Sequence, residues 1–331
     1  MKNHRYIEKT TNRKSVSYYL ESARDDSIIR KRKDYFGKSF TFMLIEDVHL
    51  GVVPIGGHSS NNKFRAILDP SNEESEQHIV NALEGNSRPY RREFGGAICD
   101  FIGNRAQSIM AYGEAPFEIA YQVEAGQEHI SGFEFVSIQP KTVFDKRGKL
   151  VQYIPKEIRK RDGIGKYIEL NREDIIQFNL PGNLRAKYID MMDSLYYLST
   201  NTLPEFTFQS PWSKSKRIPF ESNVHSNLRN LALASAGKPI GWNARGLFNE
   251  AILEYYELWG FLRFEQFKIE IRDEILSAMN KGISRGLNKL GLSGVIKLEG
   301  LPRLKDVETA RIHLENGDQP FKEILSPFLG Y

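Results

Sequence analysis

The spacing of apolar residues changes abruptly at Gly113. Upstream of this glycine, apolar residues recur three and four positions apart, which places them on one face of an α-helix. They are Phe94, Ile98, Phe101, Ile102, Ala106, Ile109 and Met110. Downstream, apolar residues fall at every second position from Phe117 to Val123, which is the spacing of a β-strand. The pattern predicts a helix over residues 89–112 that leads directly into a strand.

Short alternating segments continue from this strand to residue 180. Turn-forming residues separate them, as in Asp145-Lys146-Arg147-Gly148 and Asp162-Gly163-Ile164-Gly165. The further strands are predicted at residues 133–136, 142–144, 150–154, 167–170 and 175–178. Short strands at near-regular spacing are typical of a small antiparallel sheet. We therefore interpret residues 113–180 as a peripheral β-rich insert between two helices.

Helical spacing dominates the pattern outside this insert. It predicts helices over residues 73–85, 185–200, 223–237 and 306–316, with a short strand at residues 295–298. Residues 41–70 instead mix short apolar runs with Gly56, Gly57 and Pro70, which favours strands and turns. Helices and strands that occupy separate stretches of the chain predict an α+β fold.

The apolar pattern from about residue 243 to residue 285 leaves almost no polar face. An unbroken helix of this length would measure on the order of 60 Å. Such a helix has to be buried on several sides, either by its own chain or by neighbouring subunits. Helix 89–112 raises a related question, because each interior glycine among Gly95, Gly96 and Gly103 costs about 1 kcal/mol relative to alanine. Either a neighbouring helix approaches closely there or the helix is locally weak.

Composition narrows the class of protein. The chain has 331 residues, a net charge of +4 and one cysteine, Cys99. One cysteine excludes an internal disulfide framework and fits a reducing compartment, or a virus particle assembled there. No apolar run approaches the roughly 20 residues of a membrane span, so we expect no membrane as a partner. The mild positive charge is compatible with a nucleic-acid partner.

Basic residues are grouped rather than evenly spread. One group lies in the predicted insert, and another lies in a long loop, residues 204–221, whose prolines and serines exclude a regular element. The first group is Lys156, Arg159, Lys160 and Arg161, and the second is Lys214, Lys216 and Arg217, close to Trp212. Each group is either a binding surface or a solvated face, and the sequence leaves both open.

Little in the sequence indicates an active site. Gly163-Ile164-Gly165-Lys166 has neither the spacing nor the Ser/Thr of a phosphate-binding loop. Cys99 lies on a helix face of small residues, which favours packing over a nucleophilic role. Asp145, Glu157 and Glu169 lie on or beside adjacent predicted strands, as in some metal-dependent nucleases, although carboxylates are common on exposed strands. We predict no catalytic residue, no cofactor and no metal site.

Motifs in a fixed order run across the insert. They are Tyr112-Gly113-Glu114-Ala115-Pro116-Phe117-Glu118-Ile119, then Ile138-Gln139-Pro140-Lys141-Thr142-Val143, then a glycine turn and tyrosine strand from Gly148 to Tyr153, then Asp174-Ile175-Ile176-Gln177-Phe178. Their order and spacing resemble those of phage portal proteins, the head-to-tail connectors of tailed phages. The resemblance covers residues 90–180 by motif and the rest of the chain by the order of elements.

The resemblance implies a portal-like fold, in which long stem and wing helices carry a small clip. The corresponding division is 1–40 as an N-terminal arm, 41–88 as the first part of the wing, 89–112 as a stem helix, 113–180 as the clip-like β insert, 181–203 as the second stem helix, 204–221 as a tunnel loop, and 222–331 as wing helices with a short C-terminal region.

The resemblance also implies what the protein does. It would form a homo-oligomeric ring, a dodecamer, at one capsid vertex of the virion after assembly in the host cytoplasm. Double-stranded DNA would pass through the ring during packaging and ejection, and terminase, the major capsid protein and a head–tail adaptor would be its partners. The basic group of the tunnel loop would face the DNA channel, and the basic group of the insert would dock terminase or the adaptor.

Two other classes of function stay open on the sequence alone. One is a metal-dependent DNA-processing enzyme that uses Asp145, Glu157 and Glu169. The other is a non-viral oligomeric scaffold without a nucleic-acid role. Metal-dependent cleavage that is lost on changing Asp145 would favour the first class, and a ring too narrow for duplex DNA would favour the second.

Overall fold

The protein is described by a computed structural model over residues 6–8, 35–36, 38–57, 63–84, 93–123, 129–156, 159–160, 165–200, 222–246 and 254–328. The helices in these residues are α1 (Ser39–Gly51), α2 (Glu73–Glu84), α3 (Phe94–Tyr112), α4 (Gly182–Thr200), α5 (Ser222–Gly237), α6 (Glu254–Lys289), α7 (Leu304–Asn316) and α8 (Phe321–Leu325). The strands are β1 (Tyr6–Glu8), β2 (Arg65–Asp69), β3 (Glu114–Val123), β4 (Ile130–Ser137), β5 (Val143–Lys146), β6 (Lys149–Tyr153), β7 (Tyr167–Glu169), β8 (Ile175–Asn179) and β9 (Val295–Glu299). The fold is α+β, as the apolar patterns predict.

Strand β3 lies at the centre of the largest sheet. β4 pairs antiparallel with it along one edge, with Ile119 opposite Phe135. The other edge is shared by β8, which is antiparallel, and by the short strand β1, which is parallel. Because directly paired residues project to the same face, the large apolar side chains of β3, β4 and β8 collect on one face of the sheet.

Helix α3 packs on this face through an aromatic cluster. The ring of Phe101 lies 5.6 Å from that of Phe117, 5.9 Å from Phe135 and 5.8 Å from Phe178, measured between centroids. Inclined aromatic pairs at such distances add to the stabilisation that comes from burial itself. These residues belong to one large core that also includes buried side chains of α1, α4 and α6.

Helix α6 packs on the same face through its glycines. A Cβ atom built at Gly286 would lie 2.5 Å from the ring of Phe133, and one at Gly282 would lie 2.0 Å from Ile176. Closer to its N-terminus, α6 packs against α7 and α8 in a second, smaller core that includes Leu258. Most of the apolar surface of α6 is therefore covered by its own chain, the first of the two possibilities that its sequence allows, while Tyr256 near its N-terminus is 60% exposed.

Close approach of a neighbouring helix also accounts for an interior glycine of α3, Gly103. A Cβ atom there would lie 3.3 Å from the ring of His49 on α1, so a neighbouring helix of the same chain approaches closely. Gly95 differs, because no heavy atom lies within 4 Å of the position that its Cβ would take.

The expectation of strands and turns over residues 41–70 is wrong for the first part of that range. These residues begin with helix α1, and the predicted strand is limited to β2. Leu44, Ile45 and Val48 are fully buried, whereas Phe42 is exposed. The consecutive apolar residues fit either structure locally, and packing against α3 and α4 selects the helix.

The long helix predicted from residue 243 begins later than expected. Residues Ala244–Gly246 form a 3-10 turn in which Arg245 adopts a φ of 56°. The guanidinium of Arg245 donates hydrogen bonds to Asp47 and Glu46 of α1, at 2.7 and 2.6 Å. These ion pairs fix the turn, and the regular helix runs from Glu254 through Gly260 to Lys289.

The predicted peripheral insert is also corrected. Strands β3, β4 and β8 belong to the main core, and only β5, β6 and β7 form a sheet of their own. β3 is buried on both faces, because even its polar residues Glu118 and Gln122 are almost inaccessible. The alternation in its sequence therefore does not mark a solvent-facing side, as it does in a peripheral sheet.

Strands β2 and β9 join distant parts of the chain in a two-stranded antiparallel sheet, with Ile67 opposite Lys297. Asn280 of α6 fixes this sheet to the core through both backbone groups of Ile296. Its side-chain amide donates to the Ile296 carbonyl at 2.9 Å and accepts from the Ile296 N–H at 2.8 Å. In the predicted N-terminal arm, β1 and the start of α1 are described, and most of its other residues lie outside the described part of the chain.

Candidate functional site

The motifs that carry the portal resemblance meet at Pro116 on β3. In the pairing of β3 with β8, Ala115 lies opposite Phe178 and Phe117 lies opposite Ile176. The backbone N–H of Ile138 donates to the Pro116 carbonyl at 3.0 Å. Three of the motif segments, which are far apart in the chain, therefore form one hydrogen-bonded unit.

The junction between α3 and β3 is fixed from two directions. Gly113 ends the helix with a φ of 79°, and its N–H donates to the Ile109 carbonyl at 2.7 Å. The left-handed conformation suits glycine, which explains why the spacing of apolar residues changes at this position. The hydroxyl of Tyr188 on α4 donates to the Met110 carbonyl, and burial raises the pKa of Tyr188 well above its usual range. Helix α4 therefore packs where α3 ends.

Arg105 of α3 is a charged residue that the sequence analysis missed. Its guanidinium carbon lies 4.3 Å from the ring centroid of Phe117 and 5.4 Å from that of Phe101. Burial lowers the pKa of Arg105 to about 10, so the side chain is still charged at neutral pH. Cation–π contact with the two rings offsets part of the cost of burying this charge.

The sheet formed by β5, β6 and β7 carries a surface of basic and aromatic residues. The strand register pairs Phe144 with Val151 and Tyr153 with Tyr167, so these side chains share one face with Lys146. The ammonium of Lys146 lies 3.8 Å from the ring centroid of Tyr167. We call this surface the lysine–tyrosine patch and define it as Phe144, Lys146, Tyr153, Arg159, Lys166 and Tyr167.

Two further cations complete the patch from the connection between β6 and β7. The ammonium of Lys166 lies 5.6 Å from the ring of Tyr167, and the guanidinium of Arg159 lies 5.9 Å from the ring of Tyr153. The backbone N–H of Ile154 donates to the Lys166 carbonyl at 3.0 Å, which closes the base of this connection. The alternation along β5 and β6 could have placed Lys146 and Tyr153 on one face, and Lys166 directly precedes Tyr167 in the sequence. The sequence could not have brought Lys146 of β5 to Tyr167 of β7.

The predicted docking residues lie beside this patch. Lys156 and Lys160 are exposed on the connection between β6 and β7, and Arg159 is partly exposed. Arg161 lies outside the described residues. The structure therefore brings Arg159 to a tyrosine of the sheet, and the role of this basic group in docking stays a prediction.

The predicted carboxylates do not converge on one site. The register of β5, β6 and β7 places Asp145 and Glu169 on opposite faces of the sheet. The guanidinium of Arg172 donates to Asp145, and the ammonium of Lys149 lies 2.8 Å from Glu169. Glu157 lies outside the described residues, among which no group of three or more His, Cys, Asp or Glu could hold a metal ion. The two described carboxylates therefore act as partners of cations.

The DNA-channel candidates Lys214, Lys216 and Arg217 also lie outside the described residues, together with the rest of loop 204–221. Cys99 is buried, and burial raises the pKa of its thiol to about 12. A thiol that stays protonated at neutral pH is a poor nucleophile, which agrees with the packing role predicted for it.

By length and composition alone, the described segment Ser39–Gly57 is apolar enough to cross a membrane. It comprises α1 and the turns that follow, and Leu44 and Ile45 within it are buried in the main core. A core helix of a globular fold meets the same criterion, so this segment does not by itself indicate a membrane.

Comparison with known proteins does not assign this chain to a family. No protein-family model matches the chain. No curated protein matches it significantly.

Proposed function

We propose that this chain is the subunit of a ring-shaped phage portal that forms the channel for double-stranded DNA at a capsid vertex. The observation that carries the proposal is the unit around Pro116. Three separate motifs of the portal resemblance are hydrogen-bonded to one another there. Ala115 of β3 pairs with Phe178 of β8, and Ile138 donates to the Pro116 carbonyl. Motifs that contact one another in the fold support the portal assignment more strongly than the same motifs taken singly.

In this proposal, α3 and α4 are the two stem helices and the sheet of β5, β6 and β7 is the clip. This assignment is narrower than the insert over residues 113–180, because β3, β4 and β8 share the main core. The small sheet contributes no described residue to the main core, so we assign it as the part available to terminase and a head–tail adaptor. Terminase supplies the ATP hydrolysis, and the portal subunit itself is not an enzyme and needs no cofactor.

The contacts between subunits need a surface that the chain does not cover itself. The apolar face of α3 and most of the apolar surface of α6 do not provide it, because they are buried in the subunit. Helices α1 and α4 pack together, with the Phe40 N–H donating to Ser199 at 3.0 Å. Their outer surfaces expose Phe42, Ile189 and Tyr197 by 43, 51 and 53%. We assign these side chains to the interface between neighbouring subunits, where a second copy of this chain would cover them.

Mass photometry and negative-stain electron microscopy of the purified chain test the proposal directly. We expect a closed ring, a dodecamer by analogy with portals, with a central hole wide enough for duplex DNA. Monomers or dimers at micromolar protein across a range of salt concentrations would overturn the proposal. A ring without such a hole would instead favour the non-viral scaffold.

A further inference from the structure

Among the described residues, the sheet of β5, β6 and β7 and the connection beside it carry more cations than carboxylates. The described carboxylates Asp145 and Glu169 of the sheet are already occupied by Arg172 and Lys149. The cations of the lysine–tyrosine patch and of the connection beside it make no ion pair with a described carboxylate; they are Lys146, Lys156, Arg159, Lys160 and Lys166. A group of like charges on a small sheet raises the local positive potential, which attracts an anionic partner.

The same surface exposes flat apolar rings. Phe144 is 38% exposed and Tyr167 is 37% exposed, although both lie on regular strands where a polar residue would be easily accommodated. The lysines lie against the tyrosine rings without being removed from solvent, since Lys146 and Lys166 are both exposed. Their ammonium groups are therefore held next to aromatic surface while they stay available to an anion.

We infer that the lysine–tyrosine patch binds single-stranded nucleic acid. Lys146, Arg159 and Lys166 would contact phosphates, while unpaired bases would stack on Phe144 and on Tyr167, whose ring face becomes free when the ammonium of Lys146 moves to a phosphate. Proteins that bind single strands without sequence preference combine a positive surface with such stacking side chains. The inference does not depend on the proposed ring, because the patch is built within one chain.

The aromatic residues favour a single strand over the other anionic partners. The bases of a duplex are stacked on each other, so a duplex would use the lysines and leave both rings unoccupied. An acidic peptide would likewise satisfy the cations and has no flat group for Phe144 and Tyr167. Of these three partners, the single strand is the one that offers both phosphates and free base faces.

Fluorescence anisotropy with the full chain tests this inference. The probes are a labelled oligodeoxythymidine of about 15 nucleotides, a duplex of equal length and a polyglutamate peptide. We expect the oligodeoxythymidine to bind more tightly than either of the others. Its binding should weaken with salt, by a slope of about 0.7 for each phosphate contacted.

Matched variants separate stacking from charge. Phe144→Leu and Tyr167→Leu, made singly, should each weaken the binding of the single strand by roughly 5- to 100-fold while the salt slope stays the same. Lys146→Ala with Lys166→Ala should lower the slope by about 1.4, because two phosphate contacts are lost. The control pair Lys305→Ala and Lys322→Ala removes the same charge from exposed positions on α7 and α8 and should change neither quantity.

Thermal melts establish that each variant is folded, and the two aromatic variants are independent tests if one of them is not. Equal affinity for single strand and duplex, with no effect of either leucine variant, would overturn the inference and leave only a non-specific electrostatic surface. Tighter binding of polyglutamate would also overturn it and would identify the patch as a site for an acidic protein.

Discussion

Single glycines decide how closely α6 approaches the sheet. Gly282 and Gly286 lie one turn apart on the helix. They face Ile176 and Phe133, which are so close that a Cβ atom at either glycine would overlap with them. Glycine in a helix interior costs conformational free energy, and close packing against large buried side chains offsets that cost. Gly260 on the same helix has no such neighbour, since the nearest heavy atom lies 3.7 Å from the position of its Cβ.

Replacing Gly286 by alanine should therefore destabilise the protein. We expect Gly286→Ala to lower the free energy of unfolding by about 1–3 kcal/mol, because the added methyl group overlaps with the ring of Phe133. Chemical denaturation followed by circular dichroism measures the change. The matched control is Gly260→Ala, which should be neutral or stabilising by up to about 1 kcal/mol through helix propensity. Equal effects of the two substitutions would contradict the close packing at Gly286.

At the scale of elements, one side chain joins α6 to the sheet of β2 and β9. The amide of Asn280 replaces a strand partner by satisfying both backbone groups of Ile296. Ile296 itself is buried in the main core. Because backbone groups near a core are costly when they lack a partner, this pair of hydrogen bonds holds β9 against the helix.

Asn280→Ala should loosen β9 without disrupting the central sheet. We expect a loss of about 1–3 kcal/mol in the free energy of unfolding and faster hydrogen exchange at the Ile296 amide. Hydrogen-exchange mass spectrometry resolves the peptide that contains β9. Asn81→Ala provides the control, because Asn81 accepts a hydrogen bond from Gln77 in a surface pair on α2. Unchanged exchange in β9 would show that the strand is held by its pairing with β2 alone.

At the scale of the whole molecule, the proposed ring depends on the outer surfaces of α1 and α4. Ile189→Lys combined with Tyr197→Lys places two charges in the assigned subunit contact. Hot-spot side chains in interfaces contribute about 2 kcal/mol or more each, so we expect the double variant to stay monomeric under conditions where the unmodified chain forms rings. Mass photometry at matched concentrations reports the difference.

Ile312→Lys serves as the control for this variant, because Ile312 on α7 is equally exposed, at 52%, and lies outside the assigned contact. Rings formed by Ile312→Lys and lost in the double variant would support the assignment to α1 and α4. Rings that persist in the double variant would place the subunit contact elsewhere.

Many element types and several boundaries follow from local sequence. Asn72 begins α2 because its side chain accepts from the Ser75 N–H at 3.0 Å, and Gly317 ends α7 with a φ of 63°. Such caps need only neighbouring residues, so the sequence predicts them. The alternating segments from β3 to β8 and the helices over residues 73–84, 182–200 and 222–237 were predictable for the same reason. The basic group around Lys156 was also visible in the sequence, but the contact of Arg159 with the ring of Tyr153 was not.

The sequence by itself therefore determined the α+β class, most helices and strands, and the residues that would be buried or charged. The tertiary structure decided what covers them. It made residues 39–51 a helix, placed β3, β4 and β8 in the main core, covered most of α6 with its own chain, and brought Lys146 of β5 to Tyr167 of β7. The physical reason is that periodicity reports which face of an element avoids water. The partner on that face comes from contacts between distant segments, which no local pattern encodes.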